Sequence, residues 1–354
     1  MYRTKFTLLI PCLNERDTIR QAAEDAKKNC KKYLGINYEI IVADNGSTDG
    51  TLNILKKIDG IKIINVPVKG YGAALHWGIM KAKGEYIIFA DADLSYPFIN
   101  IKGFIFQEKF NPDLVLGSRI KGDIEKGAMP FLHRYLGTPI LTFLIRLLYG
   151  IPTTDSNSGM RMVKKSFYKK LNMRCSGMEW ASELLLKTAL NNGKYIEVPI
   201  LFKKDKRTNS PHLSTWPDGW RHLKSILLLK PSSLYILLII FPILSLISYI
   251  NKSFGFIFLF LDLTVVLFLS LIVLNLLSAA INGKPTKLST FLVKFRLVPI
   301  TILFFLFVGL IILFIPDTHL GTKLFLVSIL GIIFMWIFLV ETIKTHLINR
   351  LPDV

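Results

Sequence analysis

The sequence predicts an α/β protein with a mostly parallel, doubly wound sheet, followed by a C-terminal transmembrane region of four helices. Three observations predict it. Short β-branched runs alternate with stretches of helical spacing through the first part of the chain. Glycine-rich and acidic motifs fall at the carboxyl ends of those runs, where open α/β sheets bind their ligands. Composition then changes near residue 232, beyond which Leu, Ile, Phe and Val dominate.

Taken in order, Phe6-Thr-Leu-Leu-Ile10 reads as the first strand, closed by Pro11, and helical spacing follows from Asp17 to about Lys32. Tyr38 to Ala43 is a second strand. It ends in Asp44-Asn-Gly-Ser-Thr-Asp-Gly-Thr51, dense in turn formers, with Asp49 placed to cap the next helix. Ile61 to Val66 is a third strand, and Lys69-Gly-Tyr-Gly-Ala-Ala74 opens another helix. Tyr86-Ile-Ile-Phe89 is a buried strand running into Asp91-Ala-Asp93-Leu-Ser95. Glu179-Trp180 and Glu183 begin a further helix, where acids suit the dipole. Tyr195 to Phe202 is the last strand, followed by the basic Lys203-Lys-Asp-Lys-Arg207.

Two carboxylates at i and i+2 at a strand end can hold a hard cation against a phosphate. Gly70-x-Gly72 either makes a tight turn or lets the backbone approach a nucleotide, with Lys69 meeting phosphate charge. The third glycine of a dinucleotide fingerprint is missing, which excludes that class.

Pro11-x-x-Asn14-Glu15, Asp44-x-Gly-Ser-x-Asp-Gly-Thr51, Asp91-Ala-Asp93 and Gly117-Ser-Arg119, in this order, resemble the family-2 glycosyltransferases. The chain looks most like their dolichol-phosphate mannose synthase branch, the polyprenyl-phosphate glycosyltransferases, and the match covers residues 5–232. The resemblance implies a GT-A nucleotide-sugar domain. It implies that Pro11, Asn14, Glu15, Asp44 and Ser47 line the nucleotide pocket with Lys69, Gly70 and Ala92. Asp91 and Asp93 would hold Mg²⁺ or Mn²⁺ on the diphosphate. Ser95 stands where many relatives carry Gln, and is a candidate third ligand. Asp155-Ser-Asn-Ser158-Gly159-Met-Arg161 resembles the loop that closes the donor site from the acceptor side. Arg207 resembles the arginine of a mobile loop that reaches the diphosphate. Arg134 and Thr138, with Arg119, would hold the phosphate of the lipid acceptor; Asp91, Asp93 and Arg119 would carry the catalysis.

Residues 131–149 are apolar but interrupted by His133, Arg134, Pro139 and Arg146, which suits an interfacial helix better than a span. Trp216-Pro-Asp-Gly-Trp-Arg-His-Leu-Lys224 reads as a second one, with Asp218 a candidate N-cap and the tryptophans, Arg221 and Lys224 as interface anchors. The predicted domains are therefore 1–215, a linker helix 216–232, and 233–354, whose spans lie near 233–250, 254–281, 298–316 and 322–347. Lys284, Lys287, Lys294 and Arg296 make the middle loop cytoplasmic, which places the catalytic domain of a multi-pass protein in the cytoplasm. Asp262 inside the second span should face a partner helix or the interface. After Ser232 lie 8 Lys/Arg and 4 Asp/Glu, so most of the net charge of +19 sits on the first part. Beside a membrane such charge favours lipid headgroups and phosphates over nucleic acid. Cys12, Cys30 and Cys175 are odd in number and lack metal-ligand spacing, as expected of reduced cytosolic thiols.

Together these readings predict transfer of a sugar from a GDP- or UDP-linked donor to a polyprenyl phosphate, inverting by family resemblance. An ionised phosphate acceptor needs no general base, and no histidine lies in the core motifs. The alternatives are a hydroxyl acceptor, whose processive synthases carry a Gln-x-x-Arg-Trp element absent here, and a non-catalytic nucleotide-sugar or lipid binder. Oligomeric state, including a homo-oligomer, is left open.

Overall fold

The first strand of the computed structural model, β1 (Phe6–Cys12), is buried along its whole length, as its unbroken apolar run requires of a central strand. The structure describes residues 4–207 and 215–229, with residue 243 alone beyond them. The remaining strands are β2 (Tyr38–Asp44), β3 (Lys62–Asn65), β4 (Tyr86–Phe89), β5 (Leu114–Ile124), β6 (Arg161–Lys164) and β7 (Tyr195–Phe202). They form one seven-stranded sheet in the order β3-β2-β1-β4-β6-β5-β7. Every pairing is parallel except those of β6, which runs against both β4 and β5. The sheet is therefore mixed, and β5 and β6 are strands that periodicity did not flag. β6 has four residues and opens on a buried arginine, so it carries no apolar alternation to read.

Helices cover both faces, the arrangement expected of strands that alternate with helices. On one face Leu8, Ile10, Ile40 and Val42 pack with Ile19 and Ala22 of α1 (Ile19–Leu34) and with Ile101 and Phe104 of α4 (Ile101–Gln107). On the other, Leu9 meets Gly78 of α3 (Tyr71–Lys81), and the Phe89 ring meets the buried Trp180 of α7 (Trp180–Leu190) edge-on, 5.5 Å between centroids. The rest are α2 (Thr51–Leu55), α5 (Thr138–Tyr149), α6 (Lys165–Lys170) and α8 (Thr215–Leu229). Asp49 accepts the backbone N–H of Thr51 at 3.0 Å, serving α2 from one residue ahead of its cap. Asp218 is no N-cap: it lies inside the first turn of α8.

All three cysteines are free and buried, and burial pushes their thiols upward, Cys30 to about 12. Ile226 closes the first of two compact units. Apart from residue 243, the segments predicted as spans lie outside the described residues. Among the described residues no helix is long and apolar enough to cross a membrane.

Candidate active site

The carboxyl ends of β1, β2 and β4 open onto a cavity of about 560 Å³, lined there by Pro11, Glu15, Asn45, Lys69, Gly70, Asp91, Ala92, Asp93 and Ser95. Past Phe89 the chain turns sharply, with Leu94 in the left-handed region at φ +69°. That turn lets Ser95 hold Asp93: its backbone N–H and hydroxyl donate to Asp93 Oδ1 at 2.9 and 2.6 Å. Ser95 therefore orients the Asp93 carboxylate. The Tyr71 hydroxyl donates to Asp91 Oδ1 at 3.0 Å, and burial keeps that phenol protonated. Burial, then the charge of Asp93, raises the Asp91 carboxyl to about 7, and burial raises Asp93 as well.

Two crowded carboxylates of this kind call for a cation, and Arg207 stands in for one. Its guanidinium donates to Asp93 Oδ2 at 3.0 Å, Glu15 Oε1 at 3.2 Å and Asp205 Oδ2 at 2.7 Å. Burial still lifts Glu15 to about 7 against the pull of Arg207. Among the described residues no three His, Cys, Asp or Glu are grouped to hold a metal. A pair of carboxylates completed by substrate phosphates is nevertheless what Mg²⁺ accepts, so the donor set fits a hard divalent cation.

Around the carboxyl ends of β1 and β2, two loops are laced together. Asn14, at φ +54°, accepts the Thr48 N–H at 2.8 Å while its own N–H donates to Ser47 Oγ at 2.9 Å. The Glu15 N–H donates to Thr51 Oγ1 at 3.0 Å, and Asp44 accepts the N–H groups of Gly46 and Ser47. Asn14, Asp44 and Ser47 thus brace the rim instead of lining the cavity. Lys69 rests on the carbonyls of Asn45 and Gly46 at 2.8 and 3.2 Å. The glycines of Gly70-x-Gly72 also answer to close packing against the chain itself. A Cβ on Gly70, at φ +133°, would meet the Ser176 carbonyl oxygen at 2.2 Å, and one on Gly72 the Trp180 Cβ at 2.5 Å.

In the middle of the cavity the β5–β7 register shifts between Ser118 and Asp123, and Arg119 leaves the ladder inside this irregularity. Its fork is closed on Asp155: Nε to Oδ2 and Nη2 to Oδ1, both 2.7 Å, with the backbone N–H on Oδ2 at 3.0 Å. Arg119 lines the cavity, but its charge is already matched. Arg161 is fully buried and donates to the carbonyls of Ser158, Ser156 and Ala181, pinning the 155–159 loop to α7. It is a brace, not a contact residue. Gly159 lies so close to Asp91 that a Cβ would come within 2.7 Å of Oδ2. The Ser158 hydroxyl lines the cavity, buried and without a hydrogen-bond partner among the described residues.

At the far end, Ala128, Met129, Pro130 and His133 lead from the cavity into the helix that becomes α5. Residues His133–Gly137 form a π-helical turn, with the Thr138 N–H donating to the His133 carbonyl. Pro139 explains it: without an N–H it cannot serve the carbonyl four residues back. Thr138 is buried while Arg134 is exposed, its guanidinium 5.5 Å from the Tyr135 ring, and neither lines the cavity. His133 lines it instead. Opposite stand Asp218, Arg221 and His222 of α8. The His222 Nδ1 is 2.7 Å from Ser182 Oγ, and burial pushes its imidazole down to about 4. Trp216 and Lys224 are outside the residues whose side chains are described.

The model of glycosyl transferase family 2 matches residues 7–171. A UDP-N-acetylglucosamine–dolichyl-phosphate N-acetylglucosaminyltransferase of Methanococcus voltae is 32% identical over 218 residues, 54% of this chain and 83% of that protein. The chain belongs to glycosyl transferase family 2. A second relative is the low-salt glycan biosynthesis hexosyltransferase Agl6 of Haloferax volcanii, 33% identical over 230 residues. That match covers 65% of this chain and 54% of Agl6, so the chain spans about half the length of that relative. Among solved structures, glucosyl-3-phosphoglycerate synthase of Mycobacterium tuberculosis aligns with TM-score 0.50 at 20% identity, over 63% of this chain and 79% of its own. That likeness shows the fold, a GT-A-like α/β domain.

The structure sorts the site residues expected of a family-2 glycosyltransferase. Pro11, Glu15, Lys69, Gly70, Asp91, Ala92, Asp93, Ser95, Arg119, Ser158, Gly159 and Arg207 share the cavity lining. Asn14, Asp44, Ser47, Arg134, Thr138, Asp155 and Arg161 are not part of it. Sequence reasoning missed Tyr71, Tyr96, His133 and His222. Tyr71 sits beside the quoted glycines, but nothing local told its hydroxyl to face Asp91 across twenty residues.

Proposed function

We propose that this glycosyltransferase moves a sugar from a nucleotide diphosphate donor to a polyprenyl phosphate at a membrane surface. One observation carries the reading. The helix whose first turn lines the cavity at His133 exposes Phe131, Leu132, Tyr135, Leu136, Ile140, Phe143 and Leu147 to solvent, Phe131 by 73%. Burying one such side chain is worth roughly 1.5–3 kcal/mol, so a few suffice to hold this edge on a bilayer. A lipid headgroup would then meet the cavity mouth without leaving its leaflet. The Methanococcus relative, a dolichyl-phosphate N-acetylglucosaminyltransferase, supports the same reading.

In this scheme the donor diphosphate lies beside Asp91 and Asp93. A Mg²⁺ or Mn²⁺ held by those carboxylates would offset the charge of the leaving diphosphate. Arg207 holds Asp93 Oδ2, so a cation bound by the carboxylates would compete with that guanidinium, whose fork also suits a diphosphate. Ser95 and Tyr71 fix the two carboxylates throughout. An acceptor phosphate oxygen attacks the anomeric carbon as the bond to the diphosphate breaks, inverting that centre; no proton is transferred. A hydroxyl acceptor would need a base. The two imidazoles lining the cavity are poor ones, since burial lowers both His133 and His222. The multi-pass membrane placement with a cytoplasmic catalytic domain, and the boundaries 1–215, 216–232 and 233–354, belong to this proposal.

The test uses purified full-length protein with labelled UDP- and GDP-sugars and either polyprenyl phosphate or polyprenol. Organic-extractable label with the phosphate alone is expected. Equal labelling of polyprenol would sink the phosphate acceptor.

A further inference from the structure

The lipid phosphate of the proposed reaction needs a cation at the membrane end of the cavity, and the residues expected there do not supply it. Among the described residues the cavity is lined by Lys69, Arg119, His133, Arg207, Arg221 and His222. Lys69 serves two carbonyls at the donor end, Arg119 is closed on Asp155, and Arg207 is shared by three carboxylates. His133 and His222 are pushed down by burial and stay neutral at neutral pH. Arg134 is exposed away from the lining.

Arg221 differs from all of these. Its side chain is 49% exposed at the cavity, and among the described residues it pairs with one carboxylate, Asp218, at 3.1 Å. It is also held in place. The neighbouring His222 ties α8 to α7 through Ser182, and the Tyr149 hydroxyl of α5 donates to the Ile226 carbonyl, tying α8 to the apolar helix. A planar fork on a fixed helix, between an anionic donor site and an apolar edge, suits an incoming phosphate monoester.

We infer that Arg221 binds the phosphate of the acceptor lipid, an assignment that rests on the lipid-phosphate reading above. Asp218 orients the guanidinium until the acceptor arrives.

The experiment compares full-length wild type with Arg221→Ala and Arg221→Lys. It uses a short, water-soluble prenyl phosphate so that bilayer docking plays no part. Arg221→Ala should raise KM for that acceptor about tenfold or more, with UDP or GDP binding changed less than about twofold. Arg221→Lys should fall between, keeping charge but losing the fork. Matching thermal melts guard against a folding defect. An unchanged acceptor KM overturns the assignment, as does an equal loss of nucleotide binding, which would make Arg221 a donor-diphosphate ligand. If wild type itself uses prenol as readily as prenyl phosphate, the parent reading fails and Arg221 falls with it. If wild type demands the phosphate while Arg221→Ala matches it, only Arg221 falls.

Discussion

The two ends of the cavity, donor and acceptor in the proposed reaction, are built differently. At the donor end, loops following β1 and β2 are laced by Asn14, Ser47, Asp44 and Thr51, and the acidic groups are held by Ser95, Tyr71 and Arg207. Almost every polar side chain there has a fixed partner. The acceptor end has a π-helical turn, an exposed apolar helix and one half-exposed ion pair between Arg221 and Asp218. A site that must bind a small anionic donor repeatedly gains from preorganised oxygens and amides. One that receives a long lipid from a bilayer gains from an open, apolar edge.

The largest effect is expected at the donor end. Asp93→Asn keeps the shape but removes the charge that the donor cation requires, and should lower kcat by about 10²–10³-fold or more. A near-normal rate in a steady-state transfer assay would remove the cation argument. Next is the boundary pair. Asp155→Asn leaves the Arg119 guanidinium buried without a counter-charge, which costs about 3–5 kcal/mol in stability. A melting midpoint equal to wild type would show that Arg119 relaxes toward the cavity.

His222 tests whether α8 belongs to the rigid part. Its folded pKa of about 4 lies below the ordinary 6.5, so the unfolded chain takes the proton first. Stability from this group is present above pH 6.5 and is lost as pH falls toward 4, by about 3 kcal/mol in all. Melting followed across that window should fall more steeply for wild type than for His222→Gln. Parallel curves would mean that α8 lifts off and solvates the ring. Arg207→Ala should act more gently. Mn²⁺ affinity without nucleotide, read by electron paramagnetic resonance, should rise several-fold, about 1 kcal/mol, while UDP affinity in the presence of Mn²⁺ falls. Unchanged Mn²⁺ binding would show that guanidinium and cation do not compete.

The same contrast explains what could be read from the sequence. Donor-end chemistry sits in contiguous motifs, so Glu15, Asp91, Asp93 and Lys69 were legible, as were five of the seven strands. Their roles were less so: Asp44 and Asn14 carry the right functional groups but spend them on backbone N–H groups, which only the folded loops decide. Ser95, a candidate third ligand, donates to Asp93, a contact that only the folded turn reveals. The acceptor end depends on long-range packing. The cavity face of α8 follows from Ser182, forty residues away from His222, and no spacing rule predicts it.

Arg134 gives the smallest expected effect and the sharpest division between the two ends. A spacing of four would align it with Thr138 on an ordinary α-helix. In the folded chain Arg134 is exposed and His133 lies in the lining instead. With a soluble prenyl phosphate, Arg134→Ala should therefore change acceptor KM less than about twofold, since exposed charges contribute little through water. With a full-length lipid in anionic bilayers the loss should be larger, because a surface arginine adds about 1 kcal/mol of attraction to such a membrane. A tenfold loss with the soluble acceptor would mean that the helix re-registers on binding and carries Arg134 inward. The acceptor end would then be a switch, where the donor end is a clamp.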